Sequence, residues 1–146
     1  MKIIDGKNAV LGRLASYVAK ESLKGEEVNI VNCGDIIITG NKEFMQEDMR
    51  LRREMIGSGQ KGPKISRTSE KIVKRAIRGM LPDHREGRGK EAFQRIKCYV
   101  GVPPEFKDLK KITFNNEDKL KYIKVKELAL WAVLKKLLHQ EKEKQQ

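Results

Sequence analysis

Lys2-Ile3-Ile4-Asp5-Gly6-Lys7-Asn8-Ala9-Val10-Leu11-Gly12-Arg13-Leu14-Ala15-Ser16-Tyr17-Val18-Ala19-Lys20-Glu21-Ser22-Leu23-Lys24-Gly25-Glu26-Glu27-Val28-Asn29-Ile30-Val31-Asn32 changes its apolar period twice. Lys2 to Asp5 reads as a short strand, and Gly6-Lys7-Asn8 as the turn that follows it. Leu11, Leu14, Ala15, Val18, Ala19 and Leu23 then recur at helical spacing until Gly25 stops the run. Val28 to Asn32 reads as a buried strand. Strand, helix and strand joined by short connections predict a parallel βαβ unit, and with it an α/β sheet.

Working outward, Cys33-Gly34-Asp35 is a turn, and Ile36-Ile37-Ile38 is another apolar run that ends at Thr39-Gly40-Asn41. Asn41 is placed to cap a helix running to about Ile56. A basic loop, Gly57 to Lys64, leads to Ser69–Met80, whose Ile72, Val73, Ala76, Ile77 and Met80 form one stripe. Lys71, Lys74, Arg75 and Arg78 fall on the other side of that helix. Gly79-Met80-Leu81-Pro82 is a stop, and Asp83 to Lys90 a second loop rich in Gly and Arg. A short helix around Glu91 to Arg95 leads into a strand at Ile96 to Val100, ended by Gly101 and Pro103-Pro104. Residues 105 to 119 read as irregular, and Tyr122 to Val125 as extended. A last helix from about Lys126 is expected to bury Leu128, Leu130, Trp131, Val133, Leu134, Leu137 and Leu138. The pattern predicts one domain over 1–140, with a frayed tail at 141–146 and no internal repeat.

The charge is unevenly spread. The 146 residues carry a formal net charge of +12, and 36% of them are charged. Residues 50–97 hold fifteen cations against five acids, and nine of the ten arginines lie there. Arginine's planar fork suits phosphate oxygens and stacks on bases, so a clustered, Arg-biased excess is the footprint of a polyanion. A membrane surface fits poorly, because no strongly apolar, aromatic-flanked face accompanies the charge. No stretch approaches the ~20 consecutive apolar residues of a membrane span. The N-terminus lacks the apolar core of a signal peptide, which predicts an intracellular chain.

Catalytic and cofactor motifs are missing. Gly57 and Gly62 have the first spacing of a P-loop, but Pro63 stands where that motif needs Lys. Gly6 and Gly12 do not make a dinucleotide fingerprint. His84 follows Asp83, but no Ser or Cys nucleophile sits in a recognisable elbow. Cys33 and Cys98, with His84 and His139, have no zinc-ligand spacing. The two cysteines read as small buried thiols; a disulfide could join them, but nothing in the sequence requires it. No catalytic residue, metal ligand, cofactor or small-molecule substrate is expected.

Several segments occur together as a pattern. They are Leu11-Gly12-Arg13-Leu14-Ala15-Ser16 with Val18-Ala19-Lys20, Val28 to Asn32, and Thr39-Gly40-Asn41. Two more specific ones follow, Ala76-Ile77-Arg78-Gly79-Met80-Leu81-Pro82 and Phe93-Gln94-Arg95-Ile96-Lys97-Cys98-Tyr99-Val100-Gly101-Val102-Pro103. In these the chain resembles the universal large-subunit ribosomal protein family called L-thirteen, over most of residues 5–104. Gly101-Val102-Pro103-Pro104 leads into a lysine-rich end rather than the bacterial His-Pro-His segment, so the likeness is to the archaeal form. The resemblance implies a three-layer α/β/α sandwich around a four-stranded, mainly parallel sheet, with basic loops and a C-terminal helix. It also implies a non-enzymatic structural constituent of the large subunit, resident in the cytoplasm. Its partners would be large-subunit (23S-type) rRNA, which it would bind early in assembly, and neighbouring ribosomal proteins, with no membrane.

On this reading residues 50–97 are the RNA-facing surface. The contact candidates are Arg50, Arg52, Arg53, Lys61, Lys64, Arg67, Lys71, Lys74, Arg75, Arg78, Arg85, Arg88 and Arg95. Arg13 is left as either a family contact or a helix-surface residue. Folded RNA is recognised largely through shape, phosphates and 2′-hydroxyls, which agrees with an aromatic content of only 5%. Phe93, Tyr99 and Trp131 are expected in the core rather than on a base-stacking platform. The rival readings are an RNA-binding regulator acting outside the ribosome, and a small enzyme on a doubly wound scaffold.

Overall fold

The computed structural model describes residues 1–60, 62–114 and 121–129. Lys61, the last helix beyond 129 with Trp131, and the tail at 141–146 therefore lie outside the described residues.

The chain starts with β1 (Lys2–Asp5), α1 (Leu11–Leu23) and β2 (Val28–Val31). There follow β3 (Ile37–Thr39), α2 (Lys42–Glu54), α3 (Ser69–Arg78) and α4 (Gly87–Gln94). Three short strands close the described part: β4 (Ile96–Cys98), β5 (Ile112–Thr113) and β6 (Tyr122–Lys124). A further helix begins at Val125. The main sheet has four strands in the order β4-β2-β1-β5, and every pairing in it is parallel. The predicted α/β class and βαβ unit are what the structure contains.

In the register, Ile4 pairs with Ile30, Val28 with Ile96 and Ile30 with Cys98. A strand turns alternate side chains to opposite faces, so Ile4, Val28, Ile30 and Ile96 share one side. They pack there with Leu14, Ala15 and Val18 of α1 and with Ile72, Val73 and Ile77 of α3. Burying each such aliphatic side chain is worth roughly 1.5–3 kcal/mol, so this is the principal core. Ile3 and Val31 point the other way and meet Phe106, with Tyr99 and Val102 beside it. The helical crossovers thus keep to one face, and the chain after β4 returns across the other to deliver β5 to the far edge. No described helix is long and apolar enough to cross a membrane.

Three details differ from the sequence expectations, and the sheet joined by the third apolar run is one they left open. The segment 105–119 is not wholly irregular, because Pro104–Phe106 forms a 3-10 turn and β5 pairs with β1. The third apolar run does not join the main sheet; β3 pairs antiparallel with β6 in a two-stranded sheet of its own. Met80 is 44% exposed rather than part of the α3 stripe, since α3 ends at Arg78 and Gly79 is its cap. The loop expected over 83–90 stops at Glu86, and α4 already begins at Gly87. Gly89 explains this last difference. A Cβ there would lie 2.3 Å from the Asp83 carbonyl oxygen, so glycine lets the first turn of α4 rest against the backbone of Pro82 and Asp83.

The buried Glu21 carboxylate is paired. Glu21 on α1 is held by Lys2 of β1 and by Lys24 at 2.8 Å, and the Lys2 hydrogen bond keeps its carboxyl below the usual range despite burial. Cys33 is buried and Cys98 half-buried, and both thiols are free. The Cys98 sulfur beside it, together with burial, pushes the Cys33 thiol well above its ordinary pKa. Such a thiol behaves as a small core group rather than a nucleophile.

Candidate nucleic-acid interface

The interface is built outward from α3. Ser69, Ile72, Val73 and Ile77 are buried, which fixes the rotation of the helix about its axis. With 3.6 residues per turn, Lys71, Lys74, Arg75 and Arg78 must then face away from the core. Lys71 and Arg75 are exposed, while Lys74 and Arg78 are half-buried. The Lys74 ammonium sits 4.8 Å from the centroid of the Phe93 ring, and His84 meets the same ring edge-on at 6.2 Å. No described carboxylate forms an ion pair with any of these four cations. Phe93 is half-buried and Tyr99 packs edge-on against Phe106 at 5.6 Å, so neither belongs to an open stacking platform.

The basic loop before α3 is fastened to it. Arg75 donates to the Lys64 carbonyl at 3.3 Å, and Arg53 to the Ser66 carbonyl at 3.3 Å. Gly62 lies hard against the end of α2, where a Cβ would come within 2.0 Å of the Met55 carbonyl oxygen. Lys64 and Arg67 stay exposed on this loop. Beyond the C-terminal end of α3 in the chain, Arg85 and Arg88 are exposed too, the first beside an Asp83 carboxylate that accepts the Arg85 backbone N–H at 2.9 Å. Lys64, Arg67, Lys71, Arg75, Arg78, Arg85 and Arg88 therefore lie on α3 or on the segments that adjoin it in the chain, and no ion pair to a described acid engages them. Lys61 lies outside them.

The other candidates are engaged within the chain. Arg50 is bonded to Glu47 and, at 3.1 Å, to Glu54, and the Glu47 contact raises its pKa further. Arg52 pairs with Asp48 at 3.0 Å. Arg53 turns inward, donating to the carbonyls of Leu128 and Ser66, and its Nε is buried without a partner. Burial and the nearby Arg67 charge lower its pKa. Arg95 joins Glu91 at 3.1 Å and the Ser22 carbonyl at 3.4 Å, tying α4 to the end of α1. Arg13 is exposed on α1. The sequence carried a signal for these pairings, because Glu47, Asp48 and Glu54 stand three or four residues from the arginines they bind.

Elsewhere an open depression of about 370 Å³ lies at the start of α2, lined by Gly40, Asn41, Lys42, Glu43, Lys121 and Tyr122. Glu43 is its single carboxylate, so it offers no acid–base pair. Among the described residues no three His, Cys, Asp or Glu side chains are grouped to hold a metal ion.

Comparison with known proteins gives a consistent result. Residues 1–105 match the family model described as "Ribosomal protein L13". The chain is 48% identical over 106 residues to the large ribosomal subunit protein uL13 of Methanococcus maripaludis, covering 70% of this chain and 77% of that protein. Against the protein of the same name from Methanocaldococcus jannaschii it is 41% identical over 132 residues, covering 88% and 95%. With the Methanosarcina barkeri protein it shares 44% over 119 residues, covering 81% and 84%. The family model spans β1 through β4, and so three of the four strands of the parallel sheet and the cations of α3: the chain belongs to the ribosomal protein L13 family.

Proposed function

We propose that the chain is a structural, non-enzymatic constituent of the large ribosomal subunit in the cytoplasm. It binds large-subunit rRNA through the α3 face and the loops on either side, and it supports early subunit assembly. The named relatives support the ribosomal part of this reading, each being a large ribosomal subunit protein. The observation that carries the RNA-binding part is the row Lys71, Lys74, Arg75 and Arg78 on a helix whose opposite side is locked into the core. A rigid row of cations meets phosphates without first losing conformational freedom, and its charge is not spent on neighbouring acids. Arg53 and Arg95 act from behind, holding the loop and α4 in place. Arg50 and Arg52 contribute less, since RNA must compete with the carboxylates they already hold.

The test is a salt titration of binding to purified large-subunit rRNA. With about 6–10 phosphates neutralised, affinity falls roughly 10³–10⁵-fold between 50 and 200 mM salt. A constant that hardly changes over that range excludes the proposed mode.

A further inference from the structure

Of the four α-helices described in full, α2 alone buries no side chain. Its inner side is nevertheless committed to the rest of the chain. Met49 packs on the core, Arg53 reaches the Leu128 carbonyl, and Lys42 pairs with Glu127 at 2.6 Å. Phe44, Leu51 and Met55 fall at i, i+7 and i+11 on the opposite side, where they are 70%, 52% and 58% exposed. Met55 is the cap that ends the helix, and Ile56 beyond it is 71% exposed. Large apolar side chains lined up in water mark a contact surface.

The charges beside the stripe say what kind of surface it meets. Glu43, Glu47, Asp48 and Glu54 flank it, against Arg50 and Arg52, which already hold three of those four acids. In a chain of net charge +12 this is a locally acidic, apolar strip. Phosphates of RNA or of a lipid surface would meet like charge there, and a second copy would set acid against acid. Among the described residues, the chain's own Glu127 and Leu128 meet α2 on the other side.

The geometry points to a polypeptide partner: the outer face of α2 docks a protein segment with apolar side chains flanked by lysines and arginines. Resting on the ribosomal reading above, that segment belongs to a neighbouring large-subunit protein. The molecule then has two separate faces, α3 for RNA and outer α2 for protein.

The test places a photo-crosslinking phenylalanine analogue in the full chain, at Leu51 in one variant and at Lys71 in another, and examines purified large subunits. Leu51 is expected to crosslink to a basic segment of a large-subunit protein, and Lys71 to rRNA. A Leu51 crosslink to rRNA or to a second copy, or none at all, overturns the docking face even if Lys71 still reaches rRNA. Loss of the Lys71–rRNA crosslink with the Leu51–protein crosslink retained overturns the RNA face instead. A chain absent from large subunits overturns both. As a second measurement, Phe44→Lys is expected to abolish the protein crosslink from an analogue at Met55 while far-UV circular dichroism stays unchanged. A crosslink of unaltered yield in that variant also overturns the docking face.

Discussion

The helices α2 and α3 each carry four cations, and in each they include arginine. Beyond that count they have little in common. On α3 the apolar side is buried and the cations have a single acid, Glu70, on their own helix. On α2 four acids share the helix with four cations, and Arg50 and Arg52 are consumed within it. The helix also leaves Phe44, Leu51 and Met55 in solvent. Formal charge on a helix is therefore a poor guide to the charge it can offer a partner. What counts is whether packing orients the cations outward and whether carboxylates at i±3 and i±4 have already satisfied them.

The contrast can be broken most directly by charge removal. Lys71→Ala/Arg75→Ala/Arg78→Ala is expected to lower the slope of log affinity against log salt by about three, and to weaken rRNA binding by orders of magnitude at low salt. Arg50→Ala/Arg52→Ala should change that slope by less than about one. Equal losses from the two variants, measured by filter binding, would erase the distinction.

Stability gives the next largest difference. Ile77→Ala on α3 removes a fully buried side chain and should cost about 2–5 kcal/mol in urea unfolding. Leu51→Ala on α2, half in water, should stay within about 0.5 kcal/mol in the isolated protein. A large cost at Leu51 would mean that α2 packs more than its exposure indicates.

The smallest expected effect sharpens the picture of α2. Its Asn41 cap accepts the Glu43 backbone N–H at 3.1 Å, so Asn41→Ala should cost about 1 kcal/mol. With little packing to hold the helix, that loss should appear as faster amide exchange confined to α2, with α3 unaffected.

Much of this architecture is legible in the order of residues. The limits of α1, Leu11–Leu23, coincide with the run of helical spacing, because an uninterrupted period and a glycine stop are local properties. The Asn41 cap and the two-sided character of α3 are legible for the same reason. Three other features are not. β5 is two residues long and exists only because β1 lies beside it, so Ile112-Thr113 carries no periodic signal. Gly87 and Gly89 look like loop residues, yet one opens a helix and the other permits its close approach to Pro82 and Asp83. Composition locates the basic window but does not separate Arg75, exposed beside the loop it holds, from Arg53, turned inward toward two carbonyls.

Periodicity and charge, both written residue by residue, are enough to specify a parallel α/β framework with a cationic middle third. Which strand lies beside which, and which arginine keeps its charge available, depends on groups far apart in the chain. Pairings such as Ile4 with Ile112, or Arg53 with the Leu128 carbonyl, exist only after the backbone has closed on itself. Electrostatic partners and solvent exposure are properties of distance through space, and the linear order of residues does not contain them.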